Sequence, residues 1–494
     1  MFEPSIENNP MKIAIIGSGI AGLSASIRLR LKEYEVDVYE ANEYPGGKLH
    51  AFSLGKYRFD GGPSLFTMPQ YVEELFEQSG KVTEHYFNFE KVDEACTYFW
   101  EDKTVLSAKS DPQNFANEAA RVLNYPASEL MDYFDHIKNI YDHSASIFLR
   151  KSLHKSNTWL SKETLTALLK IRQYDLFKSM HHANMIRLGE PHLVQLFDRF
   201  ATYNGSHPHK APGILNVIPW LDHGFGTFFP KGGMEQIPKS LHRLAEELGV
   251  QFHFNSRVDQ IILQNKKAIG VSVNGQEILA EKVVSNMDVF YTYRKLLLKS
   301  KAPEKILNQE RSSSALVFYW GIKKEFKNLG LHNILFSERY KAEFDSIFNE
   351  GDIIDDPTVY INISNKLEKG DAPDGCENWF VMVNAPNHKN QDWNEISQRV
   401  KKAVIKKLNR ILNTDIEPLI EEEKIWTPQG IEEDTLSHQG ALYGNASNSQ
   451  FAAFLRHPNF SSSIDNLFFC GGSVHPGGGI PLALLSGKIT SEMI

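Results

Sequence analysis

The chain has 494 residues, 41% hydrophobic, 11% aromatic and 23% charged, an ordinary globular composition of two to four domains that excludes disordered, collagen-like and coiled-coil classes. Its 53 Lys and Arg against 61 Asp and Glu leave a net charge of −8, which argues against a nucleic-acid partner, since phosphate binding needs a basic face. Three scattered cysteines without a CxxC pair, Cys96, Cys376 and Cys470, argue for a reducing, cytoplasmic setting, and neither a signal peptide nor a run of about 20 apolar residues is present.

Lys12 to Ile16 (KIAII) reads as a buried parallel strand. It enters Gly17-Ser18-Gly19-Ile20-Ala21-Gly22, which opens a helix from Ala21 to Leu31 with Leu23, Ile27 and Leu31 on one face. A second strand, Glu35 to Tyr39, ends at Glu40 and Ala41. Gly17 allows the tight turn, Gly19 the approach of backbone to a diphosphate, and Gly22 close packing of helix on strand. The helix N-terminus favours the phosphates, and Glu40 is placed to accept from ribose hydroxyls. The glycine-dense loops that follow, Pro45-Gly46-Gly47-Lys48 and Phe59-Asp60-Gly61-Gly62-Pro63-Ser64, suit backbone packed along a cofactor longer and flatter than NAD, namely FAD.

Asp111-Pro112 predicts a helix start. Leu130, Tyr133, Phe134, Ile137, Ile140 and Tyr141 predict an amphipathic helix from Ser128, and Pro191 to Phe200 predicts another. Between Ser146 and Met180 seven Lys or Arg stand against two acids, interleaved with Trp159, Leu160, Leu168, Leu169, Ile171 and Phe177; such a stretch suits either a helix lying on anionic lipid or a solvated helix face. Gln251 to Phe254, Val258 to Leu263, Ala268 to Val273 and Val283-Val284 predict strands, with Asn274-Gly275 a hairpin turn. Leu316 to Ile322, Val359 to Ile363 and Trp379 to Asn384 predict a second sheet, and Gln398 to Leu412 an exposed amphipathic helix. At the end, a strand Leu467 to Phe469 leads through Gly471-Gly472-Ser473 and Gly477-Gly478-Gly479-Ile480 to a helix whose first turn holds Pro481.

The N-terminal fingerprint with its trailing Gly46-Gly47-Lys48 resembles the FAD-dependent amine oxidase and phytoene desaturase superfamily. Asn466 to Pro481, and Phe225-Gly226-Thr227-Phe228-Phe229-Pro230-Lys231-Gly232-Gly233-Met234, are similar to segments of the bacterial carotenoid (phytoene) desaturase family. The Pro212 to Gly233 stretch tilts the resemblance toward its 1-hydroxycarotenoid 3,4-desaturase branch.

The resemblance implies an α/β fold: a Rossmann-like FAD-binding domain drawn from residues 11–75, 225–295 and 425–494, interwoven with an α+β substrate and membrane-docking domain from 76–224 and 296–424. It implies FAD held by Gly17, Gly19, Ile20, Ala21, Gly22, Glu40, Ala41, Gly46, Gly47, Lys48, Gly61, Gly62, Pro63, Ser64, Val258, Asn286, Gly472, Ser473, Gly479 and Ile480. Many flavoenzymes place Asp where Gly472-Ser473 stands here. No metal is implied. The implied activity is hydride transfer from a carotenoid to flavin, with quinone or dioxygen as acceptor, at the inner face of the cell membrane. His475 is the candidate for proton removal, since its segment lies near the flavin in that family. A flavin amine oxidase, and a carotene isomerase or carotenoid-binding flavoprotein, are the competing expectations.

Overall fold

The computed structural model describes residues 10–159, 164, 174–449, 451–452 and 455–494. Five short strands form a wholly parallel sheet in the order Gln251–His253, Glu35–Tyr39, Lys12–Ile16, Lys282–Ser285 and Leu467–Phe469. Alternation of side chains along the first strand divides the core into two layers. Ile13 and Ile15 pack with Leu23 and Ile27 of the helix Ile20–Arg30, Leu241 of the helix Gln236–Glu247 and Leu484 of the C-terminal helix Ile480–Met493. Ala14 and Ile16 pack on the other face with Val258, Ile261 and Val271. These last belong to a three-stranded antiparallel sheet, Val258–Gln264, Lys267–Val273 and Gln276–Leu279, whose hairpin turns at Asn274 (φ 51°) and Gly275 (φ 76°) as the Asn-Gly pair demands.

The first and last helices meet closely because residue 487 is glycine. A Cβ there would lie 2.5 Å from the Ala21 carbonyl oxygen and 2.8 Å from Ser24 Cβ. Ser24 Oγ donates to the Leu484 carbonyl across the same contact at 2.9 Å.

A second, seven-stranded sheet runs in the order Ile420–Trp426, Ser314–Ile322, Glu377–Ala385, Val359–Ile363, His332–Leu335, Glu94–Phe99 and Val105–Lys109. It is antiparallel except where His332–Leu335 and Glu94–Phe99 pair in parallel. The helix Trp393–Leu412 covers one face, with Val400, Val404 and Leu408 packed against Trp320, Trp379 and Val381. That helix starts five residues before the sequence pattern suggests, because Asp392 caps it by accepting from the Asn394 and Glu395 N–H groups. Nor is it wholly exposed: Lys407 is buried and its ammonium donates to the Phe336 and Pro357 carbonyls at 3.0 and 2.6 Å.

A helical lobe formed by Pro112–Leu123, Ala127–Phe148, Met180–Arg187 and Pro191–Asp198 packs Phe115, Phe134, Phe197 and Phe200 against Tyr98 and Trp100. Asp111 caps its first helix, accepting from the Asn114 N–H at 2.8 Å. Much of the basic segment 146–180 lies outside the described residues. Among the described residues no helix is long and apolar enough to cross a membrane.

Candidate active site

A single cavity of about 900 Å³ runs from the parallel sheet into the space between the second sheet and the helical lobe. At its sheet end the wall is Gly17, Gly19, Ile20, Ala21, Glu40, Ala41, Gly46, Gly47, Lys48, Gly62, Pro63, Ser64, Val258, Asn286, Gly472, Ser473, Gly479 and Ile480. Of the residues singled out from sequence, Gly22, Gly61 and His475 do not line it.

The glycines are required by contact as well as by dihedral angle. Gly17 has φ 92°, open to glycine and strained for other residues. A Cβ on Gly19 would come within 2.7 Å of Asn286 Oδ1. On Gly22 it would collide with the Gly17 carbonyl and lie 2.9 Å from Asn286 Oδ1. Gly46 (φ 105°) donates its N–H to the Ser18 carbonyl at 2.9 Å, which draws the second glycine loop onto the first. Gly479 (φ 103°) lines the cavity, and a Cβ there would meet nothing within 4 Å, so its face is open to a ligand.

Polar groups at this end are oriented rather than free-swinging. Glu40 Oε2 accepts from the N–H and Oγ–H of Ser18 at 2.8 and 2.9 Å, and Oε1 accepts from the Asn42 N–H at 2.9 Å. The carboxylate is therefore held at the cavity edge beside the end of the Glu35–Tyr39 strand. Lys48 is pulled down to about 8 by burial, against the opposing attraction of Asp288. Ser473, which stands where many flavoenzymes have Asp, accepts from the Val289 N–H at 3.0 Å and so ties the C-terminal loop to the strand Lys282–Ser285 and its following turn.

The other end of the cavity is largely apolar, walled by Ala145, Leu149, Leu215, Ile218, Val317 and Met382 among others. Three polar groupings interrupt or border it, and of their side chains only Ser64 is singled out by the sequence. Arg199 donates to the Tyr98 and Tyr203 hydroxyls at 2.9 and 3.3 Å, and Tyr203 donates in turn to Asp222 at 2.9 Å. Ser64, Tyr360 and His332 form a chain. Arg456 donates to the carbonyls of Tyr443, Asn445 and Gly472 and to Asn204 Oδ1; burial lowers it to about 10. These residues come from segments far apart in the chain, and no local period marks them.

His475 is 1% exposed, and its Nε2–H donates to the Lys151 carbonyl at 2.9 Å. Burial pushes it down to about 4, so its ring is neutral and occupied in bolting the C-terminal loop to the chain beyond the Ala127–Phe148 helix. Outside the cavity wall, the ligand atoms of His181, Asp198 and His209 lie within 4.8 Å of one another. The Asp198 carboxylate is already taken by His181 Nδ1 at 2.6 Å and Asn184 Nδ2 at 2.9 Å.

Glycine-lined walls, an oriented carboxylate and a cation at a strand–helix junction fit a dinucleotide cofactor. The family model for flavin-containing amine oxidoreductases matches residues 20–494. The chain belongs to that family. FAD is accordingly its cofactor, and hydride-accepting redox chemistry its enzyme class. The chain is 54% identical to a 1-hydroxycarotenoid 3,4-desaturase of Flavobacterium sp. (strain P99-3), over 98% of this chain and 99% of that protein. It is 32% identical to a 4,4'-diapolycopene oxygenase of Methylomonas sp, over 99% of this chain and 98% of that one. A solved putrescine oxidase variant superposes with a TM-score of 0.64 at 15% identity, covering 98% of each chain; at that identity it speaks to the fold alone. The α/β flavin-oxidoreductase fold expected from the sequence is thereby established.

Proposed function

We propose that this chain is an FAD-dependent desaturase that dehydrogenates the 3,4 bond of a 1-hydroxycarotenoid. The observation that carries the reading is the continuity of one cavity from the glycine cradle into an apolar wall, in a chain 54% identical over its length to a desaturase so named. Desaturation breaks two adjacent C–H bonds: one hydrogen leaves with its electron pair, the other as a proton, and the remaining pair becomes the double bond. FAD, when bound, supplies the acceptor for the hydride, and a quinone or dioxygen reoxidises it.

The chain's own residues position and shield. Leu215, Ile218, Val317 and Met382 bury the polyene and keep water from the developing cation, whose charge the conjugated chain spreads. No strong general base is then needed, in keeping with the neutral, occupied ring of His475. The cradle residues from Gly17 to Ser64, with Val258, Asn286, Gly472, Ser473, Gly479 and Ile480, hold the cofactor. Pro481 stands in the first turn of the C-terminal helix, whose positive end favours a reduced, anionic ring system. On this reading residues 11–75, 225–295 and 425–494 make the cofactor lobe and the rest the substrate lobe.

The substrate is lipid-borne, and we place membrane docking on segment 146–180. Its described flanks carry Trp159 and Phe177 at 41% and 67% exposure, with Met185 and Ile186 also exposed nearby. Exposed apolar side chains beside a basic stretch suit the headgroup region.

The test is expression in a host that makes 1-hydroxylated carotene precursors. A product that is red-shifted and hydrogen-poorer supports desaturation. A product of unchanged mass points to isomerisation or binding, and amine turnover with peroxide release points to an amine oxidase. Flotation with anionic liposomes tests docking: binding undiminished when the basic residues of 146–180 are changed to Gln removes that segment from the membrane surface.

A further inference from the structure

A continuous chain of three polar side chains runs from the glycine-lined end of the cavity into its apolar part. Ser64 Oγ and the Tyr360 hydroxyl are 2.7 Å apart, and the Tyr360 hydroxyl and His332 Nδ1 are 2.8 Å apart. All three line the cavity, beside Val317, Ile334, Phe380 and Met382. Polar groups placed among apolar ones carry a desolvation cost unless they are hydrogen-bonded, and a pure hydrocarbon offers them nothing.

The direction of the chain can be read from its far end. The Asn362 amide N–H donates to His332 Nδ1 at 3.3 Å, and to the Leu331 carbonyl at 3.1 Å, so Nδ1 is an acceptor. Burial, with the positive charge of Arg199 adding to it, lowers His332 to about 3 and keeps the ring neutral. Tyr360 therefore donates to Nδ1, and Ser64 donates to Tyr360. Both hydroxyl hydrogens are spent within the chain. What remains toward the cavity is acceptor capacity on the two oxygens, and Ser64 and Tyr360 are only partly buried. Such a chain recognises a group that donates a hydrogen bond. It is a poor sink for a substrate proton, because its terminal imidazole is so weakly basic.

Geometry on the substrate side gives the matching partner. C1 lies two bonds from C3 and its hydroxyl oxygen three, so with bonds of about 1.5 Å that oxygen sits within about 4 Å of the near end of the 3,4 bond. Any residue that reads this hydroxyl must therefore adjoin the reacting bond rather than the far end of the tunnel. Ser64 meets that condition, since it directly follows Gly62 and Pro63 of the cofactor cradle in the cavity wall. The Arg199–Tyr203–Asp222 grouping lies in no such loop.

We infer that Ser64, Tyr360 and His332 form the hydroxyl reader of the site, accepting a hydrogen bond from the substrate's C1 hydroxyl and so fixing which bond faces the cofactor. The inference rests on the proposed 1-hydroxycarotenoid reading and assigns the specificity of that reaction to named side chains.

The test uses the flavin-loaded enzyme, a 1-hydroxylated carotenoid and its 1-deoxy counterpart with the same polyene. Two quantities are read: the ratio of kcat/KM for the two substrates, and the ratio of their dissociation constants from tryptophan quenching. Tyr360→Phe keeps the ring and removes the hydroxyl; the preference for the hydroxylated substrate should fall about tenfold in both, as a lower kcat/KM ratio and a higher ratio of dissociation constants, the worth of one neutral hydrogen bond. His332→Leu should do the same, while His332→Gln, whose amide oxygen can accept from Tyr360, should restore most of the preference. Ratios that stay at the wild-type value in Tyr360→Phe, through equal loss on both substrates or no loss, overturn the inference. So does a wild-type enzyme that shows no preference. If the wild type converts neither substrate, the desaturase reading fails, and the binding ratio still decides whether these residues read a hydroxyl.

Discussion

Asn286 holds Gly22 by its side chain: Oδ1 accepts from the Gly22 N–H at 3.0 Å while Nδ2 donates to the Cys470 carbonyl at 3.2 Å. One amide thus joins the first helix, the strand Lys282–Ser285 and the strand Leu467–Phe469, three elements brought side by side by the parallel sheet. The cradle is a tertiary construction, and its shape depends on a residue 264 positions from the glycine it serves.

Asn286→Leu should therefore weaken flavin binding with little effect on the parallel sheet itself. Loss of two hydrogen bonds within the protein costs the cradle about 2 kcal/mol, which caps the rise in the FAD dissociation constant at about thirtyfold. Gly22→Ala should act more severely, because the added methyl meets the Gly17 carbonyl and Asn286 together. Fluorescence titration of FAD into the apoprotein measures both. Unchanged affinity in Gly22→Ala would show that the turn can relax.

Arg456 should be more important for stability than any surface cation. Its guanidinium satisfies three backbone carbonyls and Asn204 Oδ1 with no carboxylate among its partners. Arg456→Met leaves several buried acceptors unpaired, at about 1–3 kcal/mol each. The urea midpoint should fall clearly, and Arg456→Lys should recover only part of it, since one ammonium cannot span both sides of the fork. A midpoint unchanged in Arg456→Met would contradict this account.

How far the sequence revealed all this depends on whether the determinant was local. The cradle was legible because strand, glycines, helix and acid follow one another, and their order is their geometry. The strands at Val359–Ile363 and Glu377–Ala385 were legible from β-branched and aromatic runs. His332–Leu335 was not, being four residues long, and neither was Ile420–Trp426, whose three consecutive glutamates mask an edge strand. Tyr360, His332, Arg199 and Arg456 gave no signal, because their partners lie on other strands and loops. His475 was singled out by its neighbourhood in the chain, yet its ring faces Lys151 and lies outside the cavity wall.

Acid should destabilise the folded protein well above the carboxylate range. His223, His457 and His475 are almost fully buried and each is pushed down to about 4 by burial. An unfolded histidine titrates near 6.5. Between those values the unfolded state binds more protons, so stability rises with pH from about 4 to 6.5 and is lost as pH falls through that window. The loss between pH 7 and 5 is about 2 kcal/mol per histidine. Thermal midpoints measured across this range should drop steeply, and His475→Gln should show a shallower slope than wild type. A flat profile between pH 7 and 5 would contradict the burial of these rings as neutral species.

Lys48 predicts a pH dependence of the opposite sense, in cofactor binding rather than folding. Its ammonium lines the cavity, and burial lowers it to about 8 while Asp288 pulls it back up. FAD carries a negatively charged diphosphate, so the protonated lysine binds it better and the bound anion further favours the proton. Below pH 8 the apoprotein already holds that proton, and affinity should be level. Above pH 8 the proton must be taken up on binding, and the FAD dissociation constant should rise, by up to tenfold per pH unit. Lys48→Gln should bind more weakly at pH 7 and lose this slope, whereas Lys48→Arg, which stays charged, should bind well and also lose it. Titration of apoprotein with FAD at several pH values above and below 8 decides the matter; a slope that persists in Lys48→Gln would assign the proton to another group.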